Sequence, residues 1–260
     1  VPWLRNVKSK DGLRRLGRIA GENIGLKTLF RTERPPTQQL IKQDKDFLWH
    51  PFTQMQDWLK EEPLIVAEAK GCYLKDTNGR WYLDGVSSLW VNVHGHRRQE
   101  IDAAIKRQLN KVAHSTMLGL SSPPAIELAE KLVSYAPQGI RKVFYSDSGS
   151  TAVEIALKMA LQYHKHLGAD KAKFIHLKNS YHGDTIGSVS VGGIDLFHKT
   201  YKSLLFESIE VDSPYCYRCP KGKSYPLCSF DFLEGLKKTL QENQGSVCAL
   251  IVEPLVQAAG

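Results

Sequence analysis

The sequence predicts an α/β protein built on a mostly parallel sheet, preceded by a smaller antiparallel unit. Two observations carry this expectation. From residue 142 onward, short apolar runs alternate with helical periodicities, the pattern of strands joined through crossover helices. Ahead of them, residues 64–69, 71–76 and 81–84 read as three short strands, with Asn78-Gly79 as a hairpin turn. The boundaries that follow are 1–45, 46–95 and 96–260.

Residues 1–45 carry 11 Lys/Arg against 4 Asp/Glu, while the remaining chain carries 24 against 23. The net charge of +8 therefore belongs mainly to a basic leader that ends near Pro35-Pro36 and is expected to be solvated and poorly ordered. A mitochondrial-type presequence fits badly, because Asp11, Glu22 and Glu33 interrupt it. A nucleic-acid or partner-binding arm is the competing reading from another functional class. The nearly neutral body argues against nucleic acid as the main partner. No apolar run is long enough to span a bilayer, since residues 247–252 are only strand length, and no membrane partner is expected. Five cysteines, an odd number without a signal peptide, point to reduced thiols and a cytoplasmic setting. The chain opens on Val1 and stops at Gly260 soon after a β-type run, so both ends read as cut.

Trp49-His-Pro-Phe-Thr-Gln-Met55 is expected to be extended, because Pro51 disfavours helical geometry at His50. The polar, glycine-containing stretch from Asp84 to His96 suits a loop lining a cleft. Ile101, Ile105 and Leu109 mark one amphipathic helix; Ser122 followed by Pro123-Pro124 opens a second, which runs through Ile126, Leu128, Leu132 and Val133. Residues 142–145 read as a buried strand, 146–150 as a tight turn, and 151–164 as a helix with Val153, Ala156, Leu157, Ala160 and Leu161 on its apolar face. Thr151 and Glu154 fit a capping box. Residues 172–177, 208–211 and 248–252 complete the predicted strands.

Ligands in parallel sheets sit at the carboxyl ends of the strands. That rule brings residues 148–151, Tyr181-His182 and Glu253 to one rim. The first N–H groups of the 151–164 helix lack helical partners, and its dipole places partial positive charge there, so Gly149, Ser150 and Thr151 form a candidate phosphate cradle. Tyr181 offers a ring to lie against a flat ligand, and Glu253 a carboxylate. The sequence holds no G-x-x-x-x-G-K-[ST] loop, no G-x-G-x-x-G fingerprint and no serine elbow. A planar, phosphorylated cofactor suits the rim better than a nucleoside phosphate.

Asp147-Ser-Gly-Ser-Thr-Ala-Val-Glu-Ile-Ala-Leu-Lys, Tyr181-His-Gly-Asp-Thr-Ile-Gly and Ile251-Val-Glu-Pro-Leu-Val-Gln resemble the matching blocks of class III, pyridoxal-phosphate-dependent aminotransferases of fold type I. Trp49-His-Pro-Phe-Thr, Asp84-Gly-Val-Ser-Ser-Leu-Trp-Val-Asn-Val-His-Gly and His114-Ser-Thr-Met extend the resemblance over residues 47–260. They point toward the branch that transaminates 8-amino-7-oxononanoate to 7,8-diaminononanoate in biotin synthesis.

The resemblance implies the first part of a fold type I chain, with an N-terminal small-domain segment ahead of part of the large domain. It implies pyridoxal 5'-phosphate held by Gly149, Ser150, Thr151, Tyr181, His182 and Glu253, and substrate contacts from Phe52, Trp90 and Tyr181. Leu89 stands where well-known members carry a first pocket tryptophan, and Phe52 where they carry a tyrosine. The amino donor therefore stays open between adenosylmethionine and lysine, and another class III ω-aminotransferase is the alternative within enzymes. The Schiff-base lysine of the family lies downstream of the block containing Glu253, so no catalytic residue is expected within this span. Lys142, Lys158, Lys173 and Lys178 do not match its position. Homodimers are implied for the intact protein. A chain with only part of the large domain is expected to expose apolar sheet surface.

Cys216-Tyr-Arg-Cys219 with Cys228 has the beginning of a zinc pattern, yet a structural zinc wants four ligands, and no metal is expected. A redox pair is disfavoured because no helix follows the C-x-x-C directly. His164, His166 and His176 read as surface or core residues.

Overall fold

The computed structural model describes residues 34–195, 199–219, 221–228 and 230–255. The leader up to residue 33, Pro220 of the cysteine loop, and Val256 and Gln257 of the last family-like block lie outside the described residues. The chain divides into two compact units, 1–120 and 121–260, a boundary later than the expected 95/96.

The first unit opens with α1 (Thr37–Phe47), so the last part of the expected leader is helical. Proline at the N-cap, Pro36, fixes an extended φ/ψ ahead of the first turn. Asp44, on the inner face of α1, is 8% exposed and accepts from Trp58 Nε1 at 2.8 Å, with His50 Nε2 2.9 Å away. The two rings lie 4.2 Å apart, centroid to centroid. One buried carboxylate thereby pins the segment 49–58 to the helix.

Strands β1 (Val66–Lys70), β2 (Tyr73–Asp76) and β3 (Trp81–Leu83) form the expected antiparallel sheet in the order β1-β2-β3. Asp76 closes the Asn78-Gly79 hairpin by accepting from the amides of Asn78 (2.9 Å) and Arg80 (2.8 Å) and from the Tyr82 hydroxyl (3.0 Å). Its pKa is held below the usual carboxylate value: these hydrogen bonds and Arg80 outweigh burial, the largest single influence, which pushes the other way. Gly79 takes φ +88°, which the turn requires.

The stretch from Asp84 to His96 contains one left-handed turn, Ser87–Trp90, with φ of 50°, 49°, 64° and 70° in order. Asp84 holds it. One carboxylate oxygen accepts from Ser88 N at 2.8 Å; the other accepts from Ser88 Oγ and lies 2.8 Å from His96 Nε2. The Ser88 amide, more than His96, keeps the Asp84 carboxyl below its usual value. The helix α2 (Gln99–Leu109) follows.

The second unit is the α/β part. After α3 (Pro123–Tyr135), residues 142–145 were expected as a strand, but they carry no ladder pairing and Phe144 is 63% exposed. A strand exists only through its neighbours, and no partner strand lies beside this run among the described residues. Helix α4 (Gly149–His166) then leads to β4 (Lys173–Leu177), α5 (Ile186–Ser190), β5 (Ile209–Val211), α6 (Asp231–Glu242) and β6 (Val247–Ile251). The sheet is parallel, in the order β5-β4-β6, with Ile175 opposite Ile209 on one side and Leu250 on the other.

Alternation along β4 sends its side chains to two layers. Phe174 packs with Leu157 of α4, Val191 and Cys248; Ile175 and Leu177 pack with Val211, against Leu236 of α6. His164 of α4 reaches the Cys248 carbonyl at 3.0 Å, fastening helix to strand. The apolar stripes of α2 and α3 stay open, with Ile105 54% and Ile126 57% exposed; this open surface is helical, whereas the expectation was of apolar sheet surface.

Ile175 is fully buried at the centre of the parallel sheet. Ile175→Ala is expected to destabilise the second unit by about 2–5 kcal/mol, read from the denaturant midpoint. Leu250→Ala, at a position 40% exposed on the neighbouring strand, should cost much less.

Candidate active site

The carboxyl end of β4 turns through Asn179 and Ser180 into the segment 181–185, and this segment lies directly on the first turn of α4. Helix α4 starts at Gly149 with Ser148 as N-cap, earlier than the predicted Thr151 start. The capping box pairs Ser148 with Thr151 rather than Thr151 with Glu154: Thr151 N donates to Ser148 Oγ at 3.2 Å, and Ser148 N donates to Thr151 Oγ1 at 3.1 Å. Thr151 Oγ1 also donates to Asp147 Oδ1 at 2.7 Å, and this bond, first among several, holds the Asp147 carboxyl below its usual value. The amide and hydroxyl of Thr151 are thus engaged within the cap. Among the described residues, nothing accepts from the amides of Gly149 and Ser150, and a side chain at Gly149 would meet open space. These two donors form the free part of the cradle.

Glu154, one turn further, caps the next element instead of its own. Its Oε1 accepts from Thr185 Oγ1 (2.5 Å), Gly187 N (2.8 Å) and Ser188 N (3.2 Å), at the start of α5. Ser150 Oγ accepts from Asp184 N at 3.0 Å. Between these ties Gly183, at φ +128°, comes so close that an added Cβ would lie 2.3 Å from Ser150 Oγ and 2.8 Å from Ser150 Cα. Only glycine allows the approach.

Tyr181 N donates to Glu253 Oε2 at 3.1 Å, which links the exit of β4 to the exit of β6. Tyr181 OH donates to Asp184 Oδ2 at 2.7 Å. Burial, reinforced by Asp184, pushes the phenol up to about 12, so it stays protonated. His182 is half-buried, and its Nε2 is shielded from solvent without a hydrogen-bond partner. Burial lowers its pKa from 6.5, opposed by Glu253 and assisted by His176, so the ring is neutral at physiological pH.

The Ser150–Asp184 and Tyr181–Glu253 bonds bring the first turn of α4, with Gly149, Ser150 and Thr151, beside Tyr181, His182 and Glu253; the strand-end rule accounts for the last three, while no strand precedes residues 149–151 among the described residues. Phe52 and Trp90 belong to the first unit, where Phe52 is 83% and Trp90 65% exposed. Glu154, Gly183 and Asp184 were missed. Glu154 was masked by its fit to a capping box, and Gly183 and Asp184, although inside the Tyr181-His-Gly-Asp-Thr-Ile-Gly block, were given no role of their own. Among the described residues, no three His, Cys, Asp or Glu side chains are grouped as ligands for a metal ion, and all five cysteines are free thiols.

Residues 55–260 match the family model described as aminotransferase class-III, and the chain belongs to that family. Among its relatives is the adenosylmethionine-8-amino-7-oxononanoate aminotransferase of Geobacter sulfurreducens, 49% identical over 226 residues, which are 86% of this chain and 50% of the relative. The crystal structure of the Methanocaldococcus jannaschii enzyme of the same name superposes with a TM-score of 0.75 at 42% identity, covering 83% of this chain and 46% of that one. An amine transaminase from an uncultivated Pseudomonas species, solved in its PLP-bound form, gives 0.74 at 34% identity, covering 81% and 48%. The chain spans about half the length of the curated relatives it matches. Over that shared portion its fold is an incomplete fold type I.

Gly183→Ala is expected to destabilise the second unit by about 1–3 kcal/mol, because both the left-handed backbone and the Ser150 contact oppose a side chain. Chemical denaturation measures this. Ser148→Ala, which removes the cap alone, should cost about 1 kcal/mol. His182 adds a pH dependence. Its folded pKa lies below its unfolded value of 6.5, so the unfolded chain binds more protons between the two. Stability contributed by this ring is full above about pH 6.5 and declines as the pH falls through that window. A His182→Gln variant should show a flatter stability profile between pH 7 and 5 in ~1-unit steps of denaturant titration.

Proposed function

We propose that the whole protein is a pyridoxal-phosphate-dependent aminotransferase that converts 8-amino-7-oxononanoate to 7,8-diaminononanoate in biotin synthesis. The observation that carries this reading is the joining of the α4 N-terminus, Tyr181 and Glu253 into one rim through the Ser150–Asp184 and Tyr181–Glu253 hydrogen bonds. The name shared by relatives near 50% identity supports the substrate.

The rim fits the cofactor on its own chemistry. Two unengaged amides at a helix N-terminus suit a phosphate, and the solvent-shielded, unpartnered Nε2 of His182 suits a polar edge. When bound, pyridoxal phosphate supplies an aldehyde for amines and a conjugated ring that takes up the electron pair left by a departing proton. Gly149 and Ser150 would hold its phosphate, with Thr151 fixing their turn through the cap. The Tyr181 ring would lie against the flat ring and border the substrate, its hydroxyl kept protonated and oriented by Asp184. Glu253, oriented by the Tyr181 amide, and His182, neutral, would face the polar edge. Phe52 and Trp90 would supply apolar walls for the substrate. The Schiff-base lysine is assigned to sequence beyond Glu253, and none of the lysines within this span is given that role.

A second reading, another class III ω-aminotransferase, is favoured by Leu89 and Phe52, which remove one indole and one hydroxyl from the pocket pattern of the family. For the same reason the donor is adenosylmethionine or lysine. The intact enzyme is proposed to be a cytoplasmic homodimer acting on small molecules, with no role in binding nucleic acid or membranes. Among the described residues no helix is long and apolar enough to cross a membrane.

The test is a donor screen on the whole protein with 8-amino-7-oxononanoate as acceptor, following diaminononanoate by mass spectrometry. Product with adenosylmethionine or lysine is expected; turnover of simple ω-amines alone would overturn the biotin assignment. In the same protein, Tyr181→Ala should weaken pyridoxal phosphate binding by about 10-fold and Tyr181→Phe by much less, since the ring contributes most of the contact.

A further inference from the structure

The loop from Asp84 to His96 is tied at both ends to one corner of the first unit, the turn between β1 and β2. Asp84 N donates to the Cys72 carbonyl at 2.8 Å, His96 N donates to the Gly71 carbonyl at 2.8 Å, and the His96 carbonyl accepts from Gly71 N at 3.1 Å. Gly95 permits this return: at φ +79° it passes so near that an added Cβ would lie 3.2 Å from the Gly71 carbonyl oxygen. The loop thus leaves and re-enters at one point, the form of a compact surface loop.

Side chains close the neck a second time. The Asp84 carboxylate, its side chain only 4% exposed, has His96 Nε2 2.8 Å from Oδ2. A carboxylate only accepts, so Nε2 carries a proton here. The same carboxylate accepts from the amide and the hydroxyl of Ser88, both at 2.8 Å, inside the left-handed turn Ser87–Trp90. Trp90 N donates to the Val86 carbonyl at 2.8 Å, and Asn92 N to the Ser87 carbonyl at 3.0 Å, which completes the turn. His96 therefore acts on the turn through Asp84: it fixes the carboxylate, and the carboxylate fixes Ser88. Disfavoured backbone of this kind persists only where its surroundings over-determine it, and it concentrates at functional sites. What this turn carries is Leu89, 66% exposed, and Trp90, 65% exposed. Side-chain direction follows the backbone, so the apolar surface these two residues make belongs to the left-handed state alone.

We propose that Asp84 and His96 are positioning residues for the amino acceptor: their clasp holds the Ser87–Trp90 turn left-handed, and the wall so presented favours keto acceptors with a long alkyl chain. The inference rests on the reading of Trp90 as a substrate wall. With the clasp weakened, part of the population relaxes to right-handed geometry and no longer binds the chain. Apparent affinity falls with the competent fraction, whereas saturated enzyme is competent throughout, so KM rises while kcat holds.

The test uses the whole holoenzyme with 8-amino-7-oxononanoate, other keto acids of graded alkyl length and pyruvate as the short acceptor. His96→Leu, which removes the donor, should raise KM for the preferred long-chain acceptor about 10-fold, with kcat held within about 2-fold and KM for pyruvate nearly unchanged. His96→Gln, whose amide can still donate to Asp84, should preserve the unmodified values. Adding Ser87→Gly to His96→Leu should recover most of the lost affinity, because glycine adopts φ near +50° without penalty. Without substrate, the amides of Ser88, Trp90 and Asn92 should exchange with deuterium faster in His96→Leu than in the unmodified protein. Ser88→Ala, at an exposed position that the fold tolerates, gives an independent reading: loss of one bond to Asp84 should raise the same KM about 3-fold. Equal effects of Leu and Gln at position 96, a fall in kcat at constant KM, no recovery from Ser87→Gly, unchanged amide exchange, or an unchanged KM in Ser88→Ala would each overturn the proposal. Preference for an acceptor other than 8-amino-7-oxononanoate would overturn the biotin reading instead, and the same comparison on the preferred long-chain acceptor still decides the clasp; preference for pyruvate over every longer acceptor would overturn both.

Discussion

Glu154 gathers three donors onto one carboxylate oxygen, and the arrangement of the candidate site follows from that. Gly187 and Ser188 are buried, so their N–H groups, the opening donors of α5, would lie in the interior unpaired without it. By supplying an acceptor from α4, the chain satisfies those donors and draws the whole return segment against the helix. Gly183 then meets Ser150, Asp184 N meets Ser150 Oγ, and Tyr181 is left within reach of Glu253. The site is a by-product of satisfying buried backbone groups between neighbouring elements.

The first unit repeats the same solution three times. Asp44, Asp76 and Asp84 each collect two or three partners: an indole and an imidazole, two amides and a phenol, or a serine and an imidazole. A small antiparallel sheet has little core of its own, and carboxylates that anchor turns supply order where apolar burial does not. In the second unit the division reverses: Phe174, Ile175 and Leu177 make order through packing, and polar contacts are concentrated where the strands end.

Short apolar runs and turn residues were enough to place β1 to β6, but the same signal over residues 142–145 promised a further strand that pairing did not provide. Propensity reports what a segment suits, whereas a ladder depends on a neighbour elsewhere in the chain. Gathering Tyr181 and Glu253 at one rim was legible from strand direction, since they follow β4 and β6, whereas Gly149 follows no strand among the described residues and is tied to the rim by the Ser150–Asp184 bond. The bonds that complete the rim were not. Glu154 sits four residues before Lys158 and three after Thr151, spacings equally good for a cap or a surface pair, and only the return of a loop thirty residues later gives it its partners. Likewise nothing in Asp84-Gly-Val-Ser-Ser-Leu-Trp announces left-handed backbone, because that conformation is imposed by Asp84 and His96 from outside the turn.

That turn has a consequence for how its sequence can change. Each L-residue with φ near +50° to +70° costs about 1–2 kcal/mol relative to right-handed geometry, a cost glycine escapes. Four successive positions, Ser87 to Trp90, accept it, and none is glycine. Thermostability selection acting on the fold alone would drift these positions toward glycine or asparagine. Leu89 and Trp90 thus present large, exposed side chains on backbone that disfavours them, and folding alone does not account for their size.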